Sequence, residues 1–73
     1  MLKIKCFATL NEYSPPQGKL TYQPNMTVKD VIHTLKIPRE EVKVVFVNGK
    51  HASLQTKLKD GDRIGIFPAV GGG

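Results

Sequence analysis

Gly71, Gly72 and Gly73 are the residues of this sequence best suited to chemistry. Glycine loses more conformational freedom on ordering than any other residue, so three in a row read as a flexible tail over 71–73. Such a thread is narrow enough to enter a tunnel in another protein. It also leaves the Gly73 carbonyl uncrowded by any β-carbon. The carboxylate at its tip is ionised at neutral pH, with a pKa of roughly 3.3–3.7, and is a poor electrophile as it stands. A partner must first activate it, most simply as an acyl-adenylate formed from ATP. A nucleophile then yields a thiocarboxylate, a thioester or an amide. Gly-rich ends also occur as unused tails. Here Pro68 and Val70 run into the glycines with no polar linker, which ties the thread to the folded part.

The other chemistry-bearing residues read more simply. Cys6 shares the parity of Leu2 and Ile4 and is expected in the core, where free cysteine behaves as a small hydrophobe. One cysteine excludes an internal disulfide, a structural zinc site and an iron–sulfur cluster. His33 and His51 have no ligand partner at metal spacing, so no metal site is expected. Asp60 and Asp62 flank Gly61 and are expected to form a turn by bonding their own backbone. No acid–base or nucleophile constellation is visible, so the chain reads as a protein cosubstrate and not an enzyme.

The size of the chain agrees. Seventy-three residues, 40% of them hydrophobic, supply one modest core, and a chain this short buries only roughly 60% of its unfolded surface. A private, deep active-site cleft is not expected. Eleven Lys and Arg against six Asp and Glu give a net charge of +5. The basic residues are spread evenly along the chain and no cluster interleaves aromatics. Solubility and some steering towards an acidic activating enzyme account for them better than nucleic acid does. The longest aliphatic and aromatic run is Val44 to Val47, far short of the roughly 20 residues a membrane helix needs. A soluble, cytoplasmic protein is expected, with no membrane partner.

The elements that must position the tail follow from periodicity. Leu2, Ile4, Cys6, Ala8 and Leu10 alternate with Lys3, Lys5, Phe7 and Thr9, predicting a half-buried first strand. The turn-forming run from Asn11 to Gly18 leads to a short strand, Lys19 to Tyr22, paired antiparallel with the first. Thr27 caps a helix with Asp30 completing a capping box. Val28, Val31, Ile32 and Leu35 form its apolar stripe, and Pro38 stops it at about Ile37. Val42 to Val47 reads as a well-buried strand. Asn48-Gly49 is a hairpin turn, Lys50 to Leu54 a weak return strand, and Arg63 to Phe67 the last strand, closed by Pro68. The order ββαβ(β)β predicts an α+β domain over residues 1–70, a mixed four- to five-stranded sheet with one main helix across it.

Phe7 and Phe67 fall on the parity opposite the expected core face of their strands. If the strands are neighbours, the rings meet on the open face beside the tail root. An exposed apolar patch there marks a partner surface, for which Phe7, Phe67, Pro68 and Val70 are the candidates.

Taken in order, Val47-Asn48-Gly49, Leu58-Lys59-Asp60-Gly61-Asp62-Arg63-Ile64, Phe67-Pro68-Ala69-Val70 and the closing Gly72-Gly73 resemble the MoaD/ThiS family of ubiquitin-like sulfur carriers. Phe7-Ala8, Leu10-Asn11-Glu12 and Thr27-Val28 also match, so the resemblance spans essentially the whole chain. It implies a β-grasp fold with the first and last strands adjacent and parallel at the sheet centre. It further implies that Gly73 is adenylated by a ubiquitin-activating-like adenylyltransferase using ATP, with no cofactor bound by the carrier itself. A sulfurtransferase or cysteine desulfurase would then supply sulfur for a thiocarboxylate. The recipient would be the large subunit of molybdopterin synthase, in which case this chain is the small subunit, or a thiazole synthase in thiamine formation. The Phe-Pro-Ala-Val approach resembles the molybdopterin branch more, although Ala69 stands where a second proline is common. A ubiquitin-like modifier joined to proteins through Gly73 begins with the same adenylate and stays open.

Overall fold

In the computed structural model, which describes residues 1–69, alternation at the start of the chain produces β1 (Leu2–Cys6). Leu2, Ile4 and Cys6 are buried while Lys3 and Lys5 stay exposed. The strand is shorter than the expected run to Leu10. Ala8 takes a left-handed φ of 51°, and residues Ala8–Tyr13 form a 3-10 segment in which the Leu10 N–H bonds the Phe7 carbonyl. Leu10 is fully buried all the same, brought inward by the tighter turn, whereas Ala8 and Thr9 face solvent. Apolar alternation continued past the point where the strand hydrogen bonds stopped. After a second 3-10 turn at Pro16–Gly18 comes β2 (Lys19–Leu20), which pairs antiparallel with β1 as expected.

The helix α1 (Val28–Thr34) begins on the capping box. The Asp30 N–H reaches Thr27 Oγ1 at 3.3 Å, and the Thr27 N–H donates to Asp30 Oδ2 at 2.9 Å. Two further N–H groups of its first turn, on Val28 and Lys29, bond the carbonyls of Thr56 and Leu54 at 3.0 Å each, so the segment around Leu54 and Thr56 completes the helix start. The helix stops before the point that Pro38 sets. Lys36 adopts a φ of 60°, its N–H bonds the His33 carbonyl, and the Ile37 N–H bonds the Ile32 carbonyl at 3.1 Å. Ile32 and Ile37 are both buried, completing a Schellman cap with lysine where glycine is usual.

β3 (Val42–Val47) turns through Asn48 (φ 53°) and Gly49 (φ 83°) into β4 (Lys50–Ala52). These are the paired positive angles the Asn-Gly signal predicts. Only Val45 of β3 is buried. The expectation of a well-buried strand fails because just one face of this sheet meets the helix. β5 (Arg63–Pro68) runs between β1 and β3, giving the order β2-β1-β5-β3-β4. It is parallel to β1 and antiparallel to β3. The result is the mixed sheet and β-grasp architecture that the resemblance implies, with the first and last strands adjacent and parallel at the sheet centre.

Leu2, Ile4, Ile64 and Ile66 from β1 and β5 pack with Val28, Val31 and Ile32 from α1 in one core, with Cys6 among them. Among the described residues no helix is long and apolar enough to cross a membrane.

Candidate functional site: the open face of the sheet

The face turned away from α1 is set by the β1–β5 register, in which Lys3 lies beside Arg63, Lys5 beside Gly65 and Cys6 beside Ile66. The Phe7 N–H continues the ladder to the Ile66 carbonyl at 3.0 Å. Every odd-numbered residue of both strands therefore faces the same way. Phe7 and Phe67 meet there, their rings stacked with centroids 4.2 Å apart and planes 6° from parallel. Both rings are half-buried. The sequence-level pairing of these two residues holds.

Phe46, which sequence reasoning assigned to a buried strand, completes the cluster. Its ring stands edge-on to Phe67 at 5.6 Å and edge-on to His51 at 5.8 Å. The sequence carries no clear signal for this, because Val44 to Val47 are all apolar and only the structure shows that Val45 faces the core and Phe46 the other side. Gly65 lies beneath the Phe7 and Phe67 rings. A β-carbon there would come 3.3 Å from Phe7 Cε2 and 3.5 Å from Phe67 Cε1, so the missing side chain is what lets the two aromatics close over this position.

The result is a basin of about 570 Å³ bounded by Phe7, Phe46, Phe67 and Gly65, with Lys3, Lys5 and Arg63 also lining it. Lys5 leans over Phe7, its Nζ 5.2 Å from the ring centroid, a cation–π distance. Lys19 pairs with Lys3 in the β1–β2 ladder. In sequence these cations are scattered; pairing of the strands gathers them beside the aromatics.

Pro68 does not belong to this surface. It continues the inward parity of Ile64 and Ile66, is buried, and pairs with Val42. A strand cannot present neighbouring residues on one face, so Phe67 outward requires Pro68 inward. The next residue, Ala69, is held by its N–H on the Glu41 carbonyl at 2.9 Å. Val70, Gly71, Gly72 and Gly73 lie outside the described residues.

The remaining candidates are structural. Cys6 is buried, and burial pushes its thiol pKa up against a smaller opposing contribution from a Ser14 hydrogen bond. Asp62 accepts from Asn48 Nδ2 at 2.9 Å and from the Lys59 N–H at 2.8 Å, while Asn48 Oδ1 accepts from the Arg63 N–H at 3.0 Å. These bonds lock the Asn48-Gly49 hairpin to the Asp60-Gly61-Asp62 turn. Asp60 pairs instead with the Met1 amino group. His33 and His51 are exposed, and no group of three or more His, Cys, Asp or Glu able to hold a metal ion occurs among the described residues.

Comparison with known proteins agrees with this architecture. The model of the ThiS family matches residues 4–73. A Pyrococcus furiosus protein provisionally named molybdopterin converting factor, subunit 1, superposes with a TM-score of 0.73 at 30% identity, covering 94% of this chain and 97% of that one. SAMP1 from Haloferax volcanii superposes with a TM-score of 0.70 at 24% identity, covering 99% and 98%; at that identity the likeness concerns the fold. No curated protein matches the chain.

Proposed function

Because the chain belongs to the ThiS family of ubiquitin-like sulfur carriers, we propose that its cargo is a sulfur atom borne on Gly73 as a thiocarboxylate. The domain over residues 1–70 serves as a handle and 71–73 as the reactive arm. In the first step a Gly73 carboxylate oxygen attacks the α-phosphorus of ATP inside an activating adenylyltransferase, and pyrophosphate leaves. Sulfide then adds to the carbonyl carbon and AMP departs with the electrons of the C–O bond. The product is a thiocarboxylate. In the cell a sulfurtransferase or cysteine desulfurase supplies that sulfur. The carrier itself performs no turnover and binds no cofactor.

The observation that best supports this reading is the junction of the open face with the tail root. Phe67 belongs to the aromatic cluster, and two residues further on Ala69 leaves the sheet, held by its bond to Glu41. A partner seated on Phe7 and Phe67 thus lies close to the start of the reactive arm, with Val70 as the next contact. The most favoured recipient is the large subunit of a molybdopterin synthase. The 30% identity to the Pyrococcus furiosus protein and the Phe67-Pro68 approach support it over a thiazole synthase.

The test is intact mass after incubation with ATP, sulfide and the activating adenylyltransferase from the same genome. Exchange of one oxygen for sulfur, localised to Gly73 by fragmentation, supports the proposal. Amide-linked adducts on other proteins, without that exchange, overturn it in favour of a modifier.

A further inference from the structure

Asn48-Gly49 forms the turn between β3 and β4, and it is also the pair in this sequence most open to spontaneous chemistry. Asparagine is a thermolabile residue, because the backbone nitrogen of the residue after it can attack its carboxamide carbon. A β-carbon on that next residue obstructs the approach, and glycine has none. Asn11 precedes Glu12 and Asn25 precedes Met26, so only Asn48 has an unobstructed neighbour. Both Asn48 and Gly49 are exposed, and a β-carbon built on Gly49 would meet nothing within 4 Å. Water reaches the pair freely.

The fold holds the reacting group away from its nucleophile. Asn48 Oδ1 accepts from the Arg63 N–H at 3.0 Å, and Nδ2 donates to Asp62 Oδ1 at 2.9 Å. The Asn48 N–H bonds the Arg63 carbonyl at 2.8 Å. Asp62 is itself fixed by the Lys59 N–H at 2.8 Å, so it does not follow the carboxamide if that group turns. Both ends of the carboxamide are thus tied to the start of β5, and Cγ cannot swing to the Gly49 nitrogen without breaking them.

We infer that Asn48 is a site of spontaneous deamidation whose rate is set by this clamp. When the hairpin opens, the Gly49 nitrogen bonds to Asn48 Cγ and the Cγ–Nδ2 bond breaks. Nδ2 departs as ammonia, carrying the Gly49 amide proton. The cyclic imide then takes up water at either carbonyl and opens to aspartate or isoaspartate. Water is the only co-reactant and nothing is oxidised or reduced. Either product destroys the clamp. Aspartate has no N–H for Asp62 Oδ1 and sets a second carboxylate beside the first, a repulsive pair. Isoaspartate also adds a methylene to the main chain of a turn whose positive φ values, 53° and 83°, match the twist of β3 and β4. The modified hairpin is uncoupled from the turn that precedes β5.

The test incubates the intact chain at mildly alkaline pH in water enriched in heavy oxygen, with and without urea, and reads the label by peptide mass mapping. Label should enter the peptide holding Asn48 before those holding Asn11 or Asn25. It should enter at least about tenfold faster in urea, since the native reaction waits on local opening. Asp62→Ala removes one arm of the clamp and should speed native labelling about fivefold, with no effect in urea. Asn48→Asp carries the charge of the product and should melt about 4–8 °C below wild type. Equal wild-type rates with and without urea overturn the inference, as does first label at Asn11 or Asn25. A native rate unchanged by Asp62→Ala, or an unchanged melt in Asn48→Asp, overturns the clamp as its control. If Asp62→Ala melts too early to compare, the ratio of the two wild-type rates and the Asn48→Asp melt decide the matter.

Discussion

Phe7 lies flat against Phe67, their ring centroids 4.2 Å apart, although they come from opposite ends of the chain. The parallel β1–β5 register makes them neighbours, and Gly65 beneath them lets the rings close. An offset aromatic pair of this kind contributes about 0.5–1.5 kcal/mol beyond its buried area. Each ring stays partly open to solvent.

Replacing Phe67 with Ser should therefore act on two levels. Stability should fall by about 2 kcal/mol as the stack and part of the apolar area are lost, with the far-ultraviolet circular dichroism unchanged. Affinity for the activating adenylyltransferase should fall at least about tenfold in a binding titration. Unaltered affinity in the folded variant would remove Phe67 from the docking surface.

Lys36 ends α1 with a φ of 60°, a conformation that costs an L-residue roughly 1 kcal/mol. Lys36→Gly should raise stability by about 0.5 kcal/mol, the relief being offset in part by the greater freedom of glycine in the unfolded chain. Urea denaturation measures it as a higher midpoint at constant slope. A lower midpoint would show that the lysine side chain stabilises the cap by some other contact.

Asn48 carries both a positive φ and two side-chain hydrogen bonds, to Asp62 and from the Arg63 N–H. Asn48→Ala should cost about 2 kcal/mol, and Asp62→Ala about 1 kcal/mol. Because the two share a bond, the double variant should lose less than the sum, with a coupling of about 0.5–1 kcal/mol. Strict additivity in chemical denaturation would exclude the link between the hairpin and the turn.

The Asp30 carboxyl is held below its ordinary value of 3.8, first by the Thr27 backbone N–H and then by the Thr27 hydroxyl. A folded-state value lower than the unfolded one means that the unfolded chain takes up the proton first. The contribution to stability is present above the ordinary value and disappears as the pH falls through the lowered one. Stability followed by thermal melting should decline on acidification, and Asp30→Asn should flatten that decline. An identical acid limb in the variant would place the titrating group elsewhere.

Cys6 should resist thiol reagents in the folded protein, since burial raises its pKa and closes access. Ellman's reagent should react at mildly alkaline pH only after urea is added. On the carrier reading the sulfur rides on the Gly73 carbonyl, so Cys6→Ala should still acquire sulfur in the mass assay. A chain that requires Cys6 for loading would contradict that reading.

Much of the fold was legible in the chain because local physics dictates it. The capping box at Thr27 and Asp30, the Asn48-Gly49 turn and the buried-exposed alternation of Leu2 to Cys6 depend on contacts within a few residues. Two misjudged boundaries fall where a non-glycine residue enters a left-handed conformation: Ala8 cuts β1 short and Lys36 ends α1 early. Neither residue type advertises that angle. β2 and β4 also stop two residues before the expected ends at Tyr22 and Leu54.

The sequence by itself determined the composition of the open face. Lys3, Lys5, Phe7, Arg63, Gly65 and Phe67 share one parity, and a strand must present them together on the side away from Ile4 and Ile66. It also determined that the last residues carry no charged side chain and end in glycine. Only the tertiary structure decided that β1 and β5 lie side by side in register, that Phe46 joins them from β3, and that Pro68 turns inward. The physical reason is range. Parity is a property of one strand, whereas strand order is set by burying both central strands under α1, which no local pattern encodes.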